Sequence, residues 1–208
     1  MSIDVPLRCR CGKVFGVARD VSPTKGNRVV CYCRDCQAFA RFLDRPDREV
    51  GHLGDVLDPL GGSDIYQTAA ARVSITEGAS HLRAMRLSPR GLIRWYTGCC
   101  KTPVANTVSG RVPFAGLVQP FMDHAGPGRD EVLGPPAYVH GKGAIGGQPA
   151  HAPATVTPRF AFRAARRLLR WLVTGMATPS PFFDPKTKAP IVAPEVLTHD
   201  QRRALTPA

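Results

Sequence analysis

The chain has 208 residues, 43% of them apolar, and 28 basic against 16 acidic side chains give it a formal net charge of +12. Such length and apolar content exclude a wholly disordered chain and fit one domain with an extension, or two small domains. The charge admits an anionic partner, whether nucleic acid, membrane surface or small acidic substrate, without choosing among them.

The N-terminal MSIDVPLRCRCGK has neither the apolar stretch nor the small-residue cleavage pattern of a secretory signal. The longest later apolar stretch, 168–177, is too short and too polar to span a bilayer. Reducing cytoplasm is the expected compartment. Structural disulfides are rare there, so seven cysteines require another role.

In chain order, residues 13–18 and 28–33 read as short strands, with Pro23 and Gly26 turning the chain between them. Residues 35–43 suit one or two helical turns, and a loop rich in Asp, Gly and Pro follows over 46–63. Strand-like runs come next at 64–68, 71–76, 81–87, 92–97, 104–108 and 113–118. Their punctuation, at Gly78, at Ser88-Pro89-Arg90-Gly91 and at Ser109-Gly110, is that of a compact, mainly β domain over 1–124. Composition then shifts to Gly, Pro, Ala and His, and 125–158 reads as a linker or an arm lying on that domain.

Residues 159–208 form a basic amphipathic helix and tail. Arg159, Arg163, Arg166 and Arg170 make one stripe, while Ala161, Ala165, Leu168, Leu172 and Met176 fall largely on another face. No acid occurs between Val139 and Phe183. The apolar face, with Trp171, suits docking on the chain's own β domain. Among outside partners it favours a membrane surface over nucleic acid, which needs no such face.

Cys9-Arg10-Cys11 and Cys31-Tyr32-Cys33 are both C-x-C, and in a strand residues i and i+2 share a face, so each pair aims two thiols at one spot. Cys36 returns from the next turn, and Cys99-Cys100 ends a predicted strand. Thiolates at this spacing suit zinc, which takes four sulfur or nitrogen ligands. An odd cysteine count and the strain of C-x-C bridges argue against disulfides. The basic neighbours Arg8, Arg10, Lys13, Arg34 and Lys101 are placed to offset thiolate charge. The six histidines (52, 81, 124, 140, 151 and 199) lack ligand spacing, Gly141 and Gly143 lack the strand and helix of a nucleotide loop, and Trp95-Tyr96 reads as core packing.

The ordered segments CRCGKV (9–14), CYCRDCQ (31–37), SITEG (74–78), CCKTPVAN (99–106) and PFAGL (113–117) resemble the glutathione-dependent formaldehyde-activating (GFA-type) family, which includes centromere protein V and shares a β-tent zinc fold. The resemblance covers about 7–120, within a branch that also carries a PSPFFD-type segment (179–184). It implies a structural zinc on Cys9, Cys11 and Cys100, with Cys99 or the position of Thr97 completing the set. It also implies a second zinc on Cys31, Cys33 and Cys36, whose open position takes water or a thiolate. The implied activity is that of a carbon–sulfur lyase on a glutathione or other small-thiol adduct. The sequence departs from the family in having Tyr32 where a histidine is common, and Thr97 where a cysteine is. The competing reading is a non-catalytic, zinc-stapled binding module whose basic helix recruits an anionic partner.

Overall fold

Two sheets built from short strands carry most of the core. The structure, a computed structural model, describes residues 2–44, 53–123 and 128–206. Strands β1 (Ile3–Arg8), β2 (Phe15–Val21) and β5 (Val73–Glu77) form a three-stranded sheet in the order β1-β2-β5. The larger sheet contains β3 (Asn27–Cys31), β4 (Ser63–Thr68), β6 (Leu82–Arg86), β7 (Ile93–Thr97), β8 (Pro103–Thr107), β9 (Ala115–Val118), β10 (Ala137–Val139) and β11 (Glu195–Val196). Its order is β10-β3-β4-β9-β8-β7-β6-β11, antiparallel except for the parallel outer strands β10 and β11.

Burial of the larger sheet on both faces explains why β7 and β8 are buried at every position instead of alternating. One face joins the smaller sheet around Leu7, Val21, Ile93, Trp95 and Leu117. The other is covered by α1 (Arg34–Leu43), whose Phe39 and Phe42 pack with Met85, Leu87 and Tyr96. The C-terminal α5 (His199–Leu205) adds Leu205 to that cluster, and its Arg202 pairs with Asp35 of α1 at 2.9 Å. The short helix α2 (Leu53–Val56) packs Val56 with Ala40 of α1 and Val118 of β9, and α3 (Arg129–Leu133) adds Val132 and Leu133 to the core around Leu7 and Trp95.

The segment expected as a linker or arm is docked, and it contributes β10 to the main sheet. Two things hold it. Arg28, buried within β3, pairs with Asp64 at 2.8 Å and with Asp130 of α3. Gln37 of α1 donates from Nε2 to the carbonyls of Tyr32 (3.0 Å) and Gly143 (2.7 Å). Gly143 must lack a side chain, since a Cβ there would stand 2.4 Å from the Tyr32 carbonyl oxygen. The PSPFFD segment is also core: Phe182 and Phe183 pack on Trp95 with ring centroids 5.1 and 6.1 Å away.

The long helix α4 (Pro158–Val173) starts at Thr157, whose hydroxyl caps the Phe160 amide, with Pro158 at its first position. Its docked face shares Leu168 and Trp171 with the expected one but is otherwise rotated from it. Phe160, Ala164, Arg167, Leu168 and Trp171 face the protein, whereas Ala161, Ala165 and Leu172 are exposed. Arg167, outside the predicted stripe, anchors the helix by donating to Asn27 Oδ1 (2.8 Å) and the Thr24 carbonyl (2.9 Å). Among the described residues no helix is long and apolar enough to cross a membrane. His52, His124 and part of the 46–63 loop lie outside the described residues.

Candidate metal centres

The seven cysteines gather into two clusters, Cys9 with Cys11, Cys99 and Cys100, and Cys31 with Cys33 and Cys36; within each, all sulfurs lie within 4.8 Å of one another. Both clusters could hold a metal ion. Among the described residues no histidine or carboxylate joins either one.

The four-thiol cluster joins the turn after β1 to the β7–β8 hairpin. Gly12, at φ +68°, closes the first turn, and the Cys9 sulfur accepts the Val14 amide at 3.2 Å. In the hairpin, the Lys101 amide donates to the Thr97 carbonyl at 2.9 Å, and Lys101 takes a left-handed conformation, φ +56°. That adjustment lets two adjacent cysteines share one site. The separations are 3.6 Å for Cys9–Cys11 and 3.9 Å for both Cys9–Cys99 and Cys99–Cys100. A tetrahedron with metal–sulfur bonds of about 2.3 Å has edges of about 3.8 Å, so the donor set fits one tetrahedral thiolate-bound ion. Cys99 supplies the fourth sulfur.

Thr97, buried one strand end away, has a different task. Its hydroxyl accepts the Thr102 amide (3.1 Å), and the Thr102 hydroxyl accepts the Arg10 amide (3.1 Å). Each hydroxyl proton is thereby left for Cys100, whose sulfur lies 3.3 Å from Thr97 Oγ1 and 3.1 Å from Thr102 Oγ1. Burial opposes ionisation of Cys100, yet these hydrogen bonds outweigh it and bring its thiol down to about 6. Burial leads in pushing Cys99 up to about 12 and in raising Cys9, so the negative charge concentrates on Cys100.

The three-thiol cluster sits where β3 runs into α1. Cys33 is the N-cap, its sulfur accepting the Cys36 amide at 3.4 Å, so the cluster lies at the positive end of a ten-residue helix. Hydrogen bonds from Cys31 and Cys33 hold the Cys36 thiol well below its ordinary range, helped by the guanidinium of Arg94. Cys31 is raised by its bonds to Cys33 and Cys36. Phe160 of α4 packs in the same cluster of buried residues as Val29, Cys36, Ile65 and Val139.

Arg94 is the site residue that cysteine spacing does not reveal. It is 3% exposed, lies 5.3 Å above the Phe39 ring and donates to Asn106 Oδ1 at 3.2 Å. The available signal was a lone cation inside the otherwise uncharged strand IRWYT, which α1 covers. Of the basic neighbours in sequence, Arg8 pairs with Asp123 at 3.5 Å and Arg10 with Asp55. Tyr32, just past β3, packs with Val30 and Ala152 on the side opposite the thiols, continuing the alternation of the strand. There its hydroxyl donates to Asp58 (3.2 Å) and lies 3.4 Å from His151 Nε2, and burial followed by Asp58 pushes it up to about 12.

The profile of a family described as a family of unknown function (DUF6151) matches residues 1–193. No curated protein matches the chain.

Proposed function

The chain belongs to the DUF6151 family, and we propose that it is a two-zinc protein of the GFA-type, β-tent kind, with one closed structural site and one open site that handles a small thiol such as glutathione. The observation that carries this reading is the unequal donor count: four sulfurs in one cluster and three in the other, with no further His, Asp or Glu among the described residues in either. A four-sulfur tetrahedral site is closed, whereas three protein ligands leave a position for substrate.

Zinc bound at Cys31, Cys33 and Cys36 would supply a fourth position in which a thiol is held ionised near neutral pH, ready to form or break a carbon–sulfur bond to an aldehyde carbon. The protein's own residues support this in four ways. Arg94 offsets the one net negative charge of three thiolates around a dication. The N-terminus of α1 adds a second positive pole at Cys33. Gln37, fully buried, fixes the knuckle backbone between the thiols and the docked arm. Exposed Arg34, beside the cluster, is placed to attract the carboxylates of a tripeptide thiol.

Cobalt substitution tests the proposal. Glutathione added to the cobalt-loaded chain should intensify the sulfur-to-cobalt charge-transfer band, and Cys33→Ser should abolish the response. A spectrum indifferent to millimolar thiol, with no turnover of the formaldehyde adduct, leaves a zinc-stapled binding module instead.

A further inference from the structure

Helix α4 carries two apolar arcs, and only one of them is used by the protein. Successive residues are about 100° apart around a helix, so Phe160, Ala164, Arg167, Leu168 and Trp171 share the docked side. Phe162, Leu169, Leu172 and Val173 fall on an outward arc and are 72%, 60%, 47% and 75% exposed. Four large apolar side chains this exposed on one helix exceed the scattered singles normal for a surface. The same spacing puts Arg159, Arg163, Arg166 and Arg170 on the flank between the two arcs.

Arg163, Arg166 and Arg170 of that flank line a cleft of about 460 Å³ against the body of the protein, to which Lys25 and Arg72 also contribute. Asp20 is the acid that Lys25 and Arg72 share, at 3.2 and 3.1 Å. Among the described residues no ion pair involves the four stripe arginines, and α4 contains no acid. The helix thus presents, in order around its axis, a side bound to protein, an apolar side and an unneutralised basic side.

We propose that α4 is a peripheral membrane anchor, seating its outward arc in the interface of a bilayer whose anionic headgroups meet the arginine flank and its cleft. An apolar arc of Phe, Leu and Val beside a row of arginines is the pattern of helices that lie in the plane of the interface. Charge complementarity selects the anionic bilayer over a second copy of the chain. Two copies pairing through this helix would bring two acid-free arginine rows together, whereas anionic headgroups neutralise the row. Nucleic acid would meet the arginines but leave the apolar arc in water. Because Phe160 packs with the three-thiol cluster, the anchoring helix is also part of that cluster's surroundings. The proposal stands apart from catalysis there.

The experiment is sedimentation of the full zinc-loaded chain with vesicles, either of neutral phosphatidylcholine or with about 30% phosphatidylserine added. Binding should require the anionic lipid and weaken as salt is raised, since exposed charges are screened within about 10 Å at 0.1 M. Leu169→Glu with Val173→Glu, both at solvent-exposed positions, should abolish it without changing the melting temperature. Arg166→Gln with Arg170→Gln should weaken it about thirtyfold, at about 1 kcal/mol per arginine. The proposal is overturned if the folded wild type ignores anionic vesicles, binds neutral ones equally well, or binds undiminished after Leu169→Glu with Val173→Glu. It is also overturned if the wild type is dimeric without lipid and that same double substitution makes it monomeric, which would assign the arc to a second copy.

Discussion

Replacing Arg94 with methionine should strip zinc from the three-thiol site while leaving the four-thiol site loaded. Three thiolates around a dication carry one net negative charge, and the buried Arg94 guanidinium beside Cys36 is the cation that faces it. Two unit charges about 4 Å apart interact by about 4 kcal/mol at an effective dielectric of about 20. Removing one member of a buried pair typically costs about 3–5 kcal/mol. At about 1.4 kcal/mol per factor of ten, zinc affinity at this site should fall about 100- to 4000-fold. Methionine keeps the packing on Phe39 but leaves the Asn106 carbonyl without its donor, so Arg94→Met with Asn106→Leu separates that loss from the loss of charge. Arg94→Lys, which keeps the charge, should recover part of the affinity. Competition against a chromogenic chelator reads the result: in the variant, one zinc per chain should transfer at a far lower chelator concentration than in the wild type. Identical release curves would refute the assignment of Arg94 as counter-charge.

The two clusters should differ in what they stabilise. Cys9→Ser or Cys11→Ser opens the link between the β1–β2 turn and the β7–β8 hairpin, and structural zinc can contribute about 10 kcal/mol of folding free energy. These variants should therefore lose most of their thermal stability in calorimetry, while Cys33→Ser melts near the wild type. Thr102→Val should raise the pH at which the four-thiol site releases zinc. Cys100 is depressed from 9.0 to about 6, so its thiolate is present at higher pH and is lost as pH falls through about 6. Removing a hydrogen bond of about 1.4 kcal/mol weakens the ionised sulfur about tenfold, so zinc release, followed by a zinc-sensitive dye across an acid titration, should move to higher pH by a fraction of a unit. Phe182→Ala should cost about 3–5 kcal/mol in denaturant unfolding, since Phe182 is fully buried against Trp95.

The central strands were legible because apolar, β-branched runs stood between clear turn residues, as at Gly78 and Ser109-Gly110. The first strand was not, since Pro6 interrupts it; proline is tolerated because β1 is an edge strand that pairs with β2 alone within its sheet. Strand β10 has three residues in Gly/Pro-rich surroundings and exists by parallel pairing with β3, a tertiary fact without a local signal. The short α5 did leave one, the capping box of Thr198 with Gln201. For α4 the periodicity revealed the helix and its arginine row, but two apolar arcs compete and only packing decides which is buried. The cysteine clusters were readable from spacing within each motif, whereas Cys99 over Thr97 depended on the hairpin's backbone. Arg94 became visible only once α1 lay over β7.

Zinc content of the full chain, purified without chelator, bears most directly on the two-site reading. Elemental analysis should give two zinc ions per chain for the wild type and one for Cys33→Ser, matching one four-sulfur and one three-sulfur cluster. A wild type without zinc, or a single zinc that Cys33→Ser leaves in place while Cys31, Cys33 and Cys36 react freely with an alkylating reagent, would contradict it.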